Sequence, residues 1–131
     1  MNKYLLDSDI VMDFFKKKGT GFELIPKLAK IGEIFISVLT IAELRSGWSD
    51  KEAKVFIPRV YKLFKIEVVN KEMVELAGKF RWEYKSKGIS LPTIDSVIAA
   101  TAIVDNCELV TRNSKNYPMP GIKLYSLGNL Y

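Results

Sequence analysis

Histidine is absent from this chain of 131 residues, and cysteine occurs once, at Cys107. The first absence excludes Ser-His-Asp and Cys-His hydrolysis, His-ligated zinc and imidazole acid/base catalysis together. The second excludes an internal disulfide and a thiolate-rich zinc site, and leaves Cys107 as a small core residue at a strand start. No apolar run approaches the roughly 20 residues that cross a bilayer. The opening Met1-Asn2-Lys3-Tyr4-Leu5-Leu6-Asp7 meets an acid too early for a signal-peptide core, so a cytoplasmic location without membrane partners is expected. Internal repeats, low-complexity tracts and Pro/Gly/Ser linkers are missing as well, so residues 1–131 read as one domain. Any catalysis must rest on carboxylates, Lys, Tyr, Ser, Thr or the single thiol.

What is present builds a core and a charge bias. Hydrophobic residues make up 48% of the chain, enough for a substantial interior. Twenty Lys and Arg against fifteen Asp and Glu give a net charge of +5, which favours an anionic partner such as nucleic acid. Apolar runs alternate with helix-like periodicity. Strands are expected at residues 3–6, 33–37, 66–69, 108–111 and 122–125, the last an edge strand. Helices are expected at 8–17, 21–31, 38–46, 51–63 (despite Pro58), 71–87 and up to Val104 after Leu91-Pro92-Thr93, with Asn106 as a left-handed stop. In the helix at 71–87, Met73, Val74, Leu76, Ala77, Phe80, Trp82 and Tyr84 read as a core-facing set. Strands separated by helices predict an α/β class, a three-layer α/β/α sandwich with a mainly parallel central sheet. Ligand sites in such sheets gather at the carboxyl ends of the strands.

Three carboxylates stand where apolar runs meet helix-like segments. Asp7 closes Lys3-Tyr4-Leu5-Leu6, Glu43 lies within Ile36 to Leu44, and Asp95 opens the stretch from Ile94. Each has a local explanation. Asp7 or Ser8 suits a helix N-cap, Thr40 and Glu43 have the spacing of a capping box, and Asp95 suits a first helical turn. Capping needs one group, however, and Asp7-Ser8-Asp9 offers three. Asp95 among Ile94, Val97 and Ile98 is costly to bury unless a cation neutralises it. Three carboxylates together suit an octahedral Mg²⁺ or Mn²⁺, which can acidify a water and offset charge on a phosphoryl oxygen. A phosphodiester is the expected substrate.

The segments Leu5-Leu6-Asp7-Ser8-Asp9, Thr40-Ile41-Ala42-Glu43-Leu44-Arg45-Ser46-Gly47, Asp95-Ser96-Val97-Ile98-Ala99-Ala100-Thr101-Ala102 and Leu109-Val110-Thr111-Arg112-Asn113 resemble, in order and spacing, the PIN-domain ribonucleases, especially VapC-type toxins. The resemblance implies a PIN-like sandwich and Mg²⁺- or Mn²⁺-dependent endonucleolytic cleavage of RNA. It makes Asp7, Glu43 and Asp95 the metal-site and catalytic carboxylates, with Asp9, Thr40 and Thr111 supporting them. At the fourth acidic position this chain carries Asn113, followed by Asn116, so the cluster is one charge short. The resemblance further implies a VapB-type antitoxin that blocks the site and a homodimer formed through apolar helices; Trp82, Tyr84 and the aromatic stretch 125–131 are candidates for that interface, with ordinary core packing the favoured account. Of a basic set that also includes Lys16, Lys17, Lys18, Arg81, Lys85 and Lys87, the cations expected to meet RNA phosphates are Arg45, Arg112 and Lys115.

Two other readings accompany this one. Asp7-Ser8-Asp9 fits the Asp-x-Asp nucleophile motif of haloacid-dehalogenase-like phosphatases, which leaves Glu43 unexplained and lacks a downstream Gly-Asp pair. A catalytically weak PIN-like module that binds RNA or protein is the non-enzymatic alternative.

Overall fold

A tight sequence of strand, turn and helix organises the molecule, seen in a computed structural model that describes residues 2–127. Tyr4, Leu5 and Leu6 make β1 (Asn2–Leu6) a buried strand, and Asp7, in extended conformation, ends it and caps α1 (Ser8–Lys16) by accepting from the Ser8 amide. Lys17, at φ 56°, closes that helix with a left-handed residue, and α2 (Gly19–Ile31) folds back along α1. The approach is close. A Cβ at Gly21 would lie 2.0 Å from the Ile10 carbonyl oxygen, so only glycine fits there.

Next come β2 (Gly32–Ser37), α3 (Val38–Ser46), α4 (Asp50–Leu63) and β3 (Lys65–Glu67). They are followed by α5 (Lys71–Lys85), α6 (Thr93–Val104), β4 (Glu108–Val110), a 3-10 turn at Ser114–Asn116 and β5 (Lys123–Leu124). The strands form one sheet in the order β3-β2-β1-β4-β5, and every pairing is parallel. The expected sandwich is the observed one, because alternate strand residues feed two cores. Tyr4, Leu6, Ile34, Ile36 and Val110 pack with α1, α2 and α4 on one face. Leu5, Leu109 and Phe35 pack with α5 and α6 on the other. Cys107 is buried and its thiol is pushed up to about 11 by desolvation and by Asp105, as suits a packing residue.

Several expectations need correction. The capping box at Thr40 and Glu43 does not form. Ser37, the last residue of β2, is the N-cap of α3 and accepts from the Leu39 amide at 3.1 Å, so the helix spans the expected 38–46 from a different cap and Glu43 lies inside it. The capping box of this region belongs to Ser49 and Glu52 at the start of α4. Helix α5 ends at Lys85, and Gly88, at φ 78°, belongs to the turn that follows. Of its apolar set, Met73, Ala77, Phe80 and Tyr84 are buried, whereas Val74 and Trp82 face solvent at 47% and 74% exposure. A helix packed on one side of a sheet buries one stripe, and those two positions fall outside it. Tyr84 is a core residue whose hydroxyl donates to the Pro118 carbonyl at 2.7 Å, and Tyr125 packs edge-on against Tyr4. Residues 128–131 of the expected aromatic interface lie outside the described residues.

Candidate active site

The strand order places β1 between β2 and β4, so the chain leaves the sheet in opposite lateral directions from neighbouring carboxyl ends, which opens a crevice there. Asp7 sits at this point. It is 7% exposed, and its amide donates to the Val110 carbonyl at 2.9 Å, tying the end of β1 to the end of β4. Its Oδ1 accepts from the Ser8 amide, and its Oδ2 accepts from Thr111 Oγ1 at 2.9 Å and from Tyr117 Oη at 2.8 Å. A buried carboxylate with neutral donors on both oxygens is held in one orientation.

Glu43 and Asp95 face the same point. Helix α3 starts directly beyond β2, and α6 begins after Pro92, so both lie at the carboxyl edge of the sheet. The Glu43 carboxyl is pushed up by burial, then by the charges of Asp7 and Asp95, and only the Ser8 hydroxyl opposes the rise. Asp95 is pushed up by burial and by Asp7, with the Tyr117 hydroxyl, 3.5 Å from Asp95 Oδ1, opposing. Residues 7, 43 and 95 therefore repel one another across a shared space. Within it, Glu43 Oε1 and Thr40 Oγ1 are buried without a hydrogen-bond partner among the described residues. Thr40, inside α3 and off the cap position, is fully buried. Among the described residues, no three acids stand in a ready ligand arrangement.

Asp9, on the first turn of α1, lies at the rim. Its Oδ2 accepts from the Arg112 amide at 3.0 Å and from Asn113 Nδ2 at 3.3 Å, while burial and the Asp7 charge raise its proton affinity. Asn113 thus reaches the cluster as a donor to Asp9. Thr111 Oγ1 in turn accepts from the Asn113 amide, which links the strand end to this turn. Of the three cations expected to meet phosphates, Arg112 pairs with buried Asp13 at 2.9 Å and lies 3.8 Å from Asp9. Arg45 is engaged by Asp50 and by the Trp48 carbonyl. Lys115 forms no ion pair among the described residues.

Three participants escape a reading of the sequence. Tyr117 bridges Asp7 and Asp95 from a polar stretch with no periodicity, and nothing in its spacing marks it. Asp13 looks like an ordinary helical acid, yet it accepts from the Gly21 amide at 3.2 Å and anchors Arg112. Ser8 reads as a spare cap.

A family model for the PIN domain matches residues 4–118. Ribonuclease VapC2 of Rickettsia felis is 30% identical over 119 residues, a match covering 87% of this chain and 89% of that protein. Ribonuclease VapC1 of Methanocaldococcus jannaschii is 28% identical over 127 residues, covering 95% of this chain and 88% of the relative. Among solved structures, VapBC2 from Rickettsia felis bound to a DNA fragment from their promoter superimposes with a TM-score of 0.82. That match, at 27% identity, covers 94% of this chain and 97% of the other.

Proposed function

The chain belongs to the PIN-domain family, and from that premise we propose that it is a divalent-metal-dependent endoribonuclease and the toxin of a VapBC-type toxin–antitoxin pair. The observation that carries this reading is electrostatic. Carboxyls at positions 43 and 95, far apart in sequence, are both raised, first by burial and then by the charge of Asp7. Such repulsion is unfavourable unless a cation compensates it. An all-oxygen donor set with an unpartnered Glu43 Oε1 fits a hard cation, Mg²⁺ or Mn²⁺, which Asp7, Glu43 and Asp95 would hold. When bound, such an ion supplies Lewis-acid stabilisation of a phosphoryl oxygen and a more acidic water.

The remaining work falls to the chain. Thr111 and Tyr117 fix Asp7 by donating to one oxygen, and the buried Tyr117 hydroxyl, its proton held by desolvation and by both acids, stays neutral. Asp9, with its raised proton affinity, is suited to take a proton from water at the rim. The Arg112–Asp13 pair holds a cation beside Asp9, where a substrate phosphate would meet it. In the same reading, a VapB-type antitoxin covers this cleft and the chain forms a homodimer. No helix of the described residues is long and apolar enough to cross a membrane.

The test is cleavage of single-stranded RNA by the purified, antitoxin-free chain with Mn²⁺, Mg²⁺ or EDTA. Cleavage with either ion and none in EDTA is expected, and Asp7→Asn should abolish it with the circular dichroism spectrum unchanged. RNA binding by the wild type without metal-dependent cleavage would instead identify a non-catalytic module, and turnover of a small phosphomonoester would identify a phosphatase.

A further inference from the structure

The solvent face of α5 carries a feature that the acidic site does not use. Trp82, at 74%, is the most exposed large apolar side chain among the described residues. With Gly78, Arg81 and Lys85 it lines a concavity of about 520 Å³, closed on the other side by the turn that ends at Leu91. The spacing of the four residues puts them on one stripe of the helix. Arg81 Nε donates to the Leu91 carbonyl at 3.0 Å, which pins the guanidinium against the turn. Neither Arg81 nor Lys85 enters an ion pair among the described residues, and no acid lines the concavity.

Gly78 adds an independent observation. Glycine in a helix interior is unfavourable relative to alanine, and a Cβ here would meet nothing within 4 Å, so packing inside the chain does not call for it. The missing side chain instead leaves flat backbone one helical turn from the indole, the space a planar ring needs to lie beside it.

We propose that this concavity is a nucleobase platform, in which the Trp82 indole stacks on an unpaired base of a single-stranded RNA and Arg81 and Lys85 take the adjoining phosphates. The proposal rests on the endoribonuclease reading for its choice of ligand, and it adds a second point of contact for the strand. Leu91 leads through Pro92 into α6, whose first turn bears Asp95, so the platform edge and the acidic site are at most about 14 Å of chain apart. Nucleotides of one strand can occupy both. Stacking is tolerant of base identity, and the two cations favour a polyanion over an apolar protein surface.

The experiment compares wild type, Trp82→Ala, Trp82→Phe and Gly78→Leu as full chains. Binding is read by fluorescence anisotropy of a fluorescein-labelled single-stranded RNA dodecamer in EDTA, so that it does not depend on cleavage. Trp82→Ala should weaken binding about 10-fold or more, and Trp82→Phe should stay within about threefold of wild type. Gly78→Leu should weaken binding without lowering the thermal midpoint. Because Trp48 is buried, RNA should quench wild-type indole emission chiefly through Trp82. Unchanged binding in Trp82→Ala overturns the platform. So does a lower molar mass by light scattering for that variant, which would assign Trp82 to a contact between copies of the chain. Wild-type binding that depends on Trp82, without Mn²⁺-dependent cleavage, overturns the nuclease and leaves the platform standing. Cleavage by the wild type with KM and binding unaltered in Trp82→Ala does the reverse.

Discussion

Removing a single oxygen atom from Tyr117 asks whether neutral donors hold the acidic site together. In Tyr117→Phe the ring keeps its buried place, 2% exposed, so the loss falls on the hydroxyl contacts to Asp7 at 2.8 Å and to Asp95 at 3.5 Å. A hydrogen bond to a charged group contributes about 1.5–3 kcal/mol, and the longer contact adds little. Asp7 keeps Thr111 Oγ1 on the same oxygen and the Ser8 amide on the other, which places the net loss near the lower end, about 2 kcal/mol. For a domain of this length each kcal/mol lowers the unfolding temperature by roughly 3–5 °C, so a drop of about 6–10 °C is expected. The assay is thermal unfolding by circular dichroism in EDTA, for the wild type, Tyr117→Phe, Asp7→Asn and the double variant. The cycle should show a coupling of about 1 kcal/mol or more between the two positions. A midpoint within about 2 °C of wild type, together with an additive cycle, would refute the idea that Tyr117 organises Asp7.

Three further outcomes follow from the same geometry. Asp9, Glu43 and Asp95 have folded pKa values above their unfolded ones, so the folded state binds more protons. Their contribution to stability is fully present below the unfolded values near about 4 and is lost as pH rises through the folded ones. The metal-free chain should therefore gain stability as pH falls from 7 toward 4, and Glu43→Gln should flatten that slope; equal slopes in scanning calorimetry would count against the cluster. Arg112→Ala leaves the buried Asp13 carboxylate without its guanidinium while the Gly21 amide still donates to it, at a cost of about 1–2 kcal/mol given the half-exposed guanidinium. Urea unfolding reads that loss, and a change below about 0.5 kcal/mol would show the pair to be incidental. Gly21→Ala drives a methyl group to 2.0 Å from the Ile10 carbonyl oxygen and should cost about 3 kcal/mol or more, whereas wild-type stability by the same urea assay would mean that α1 and α2 can separate freely.

The layered sheet was legible because its two periodicities are written in apolar residues, with Leu5 and Leu6 on opposite faces of one strand and Met73, Ala77 and Phe80 on one face of a helix. Asp7 and Asp95 stand out in the sequence because acids beside apolar runs conflict with burial, whereas Glu43 stands out chiefly through the motif it shares with the family. The cap of α3 differs from the expected one for a local reason. Ser37 and Thr40 both suit an N-cap, and only the length of the preceding strand decides between them. Trp82 shares helical spacing with neighbours that are core residues, and the width of the buried stripe, which leaves it outside, depends on how α5 lies against α6. Tyr117 and Asp13 act through partners distant in sequence. Such pairings depend on strand order, which local patterns do not encode.

The central position of β1 also sets an order of events. Asp7 is completed by Thr111 and Tyr117, the latter 110 residues further along the chain, and β1 gains its second neighbour only with β4. Closing so long a loop carries an entropic cost that local contacts do not share, and parallel pairings of this span form slowly. During synthesis the acids of β1, α3 and α6 all leave the ribosome before the strand and the tyrosine that join them. A chain of this topology is therefore without its finished acidic cluster for most of its translation.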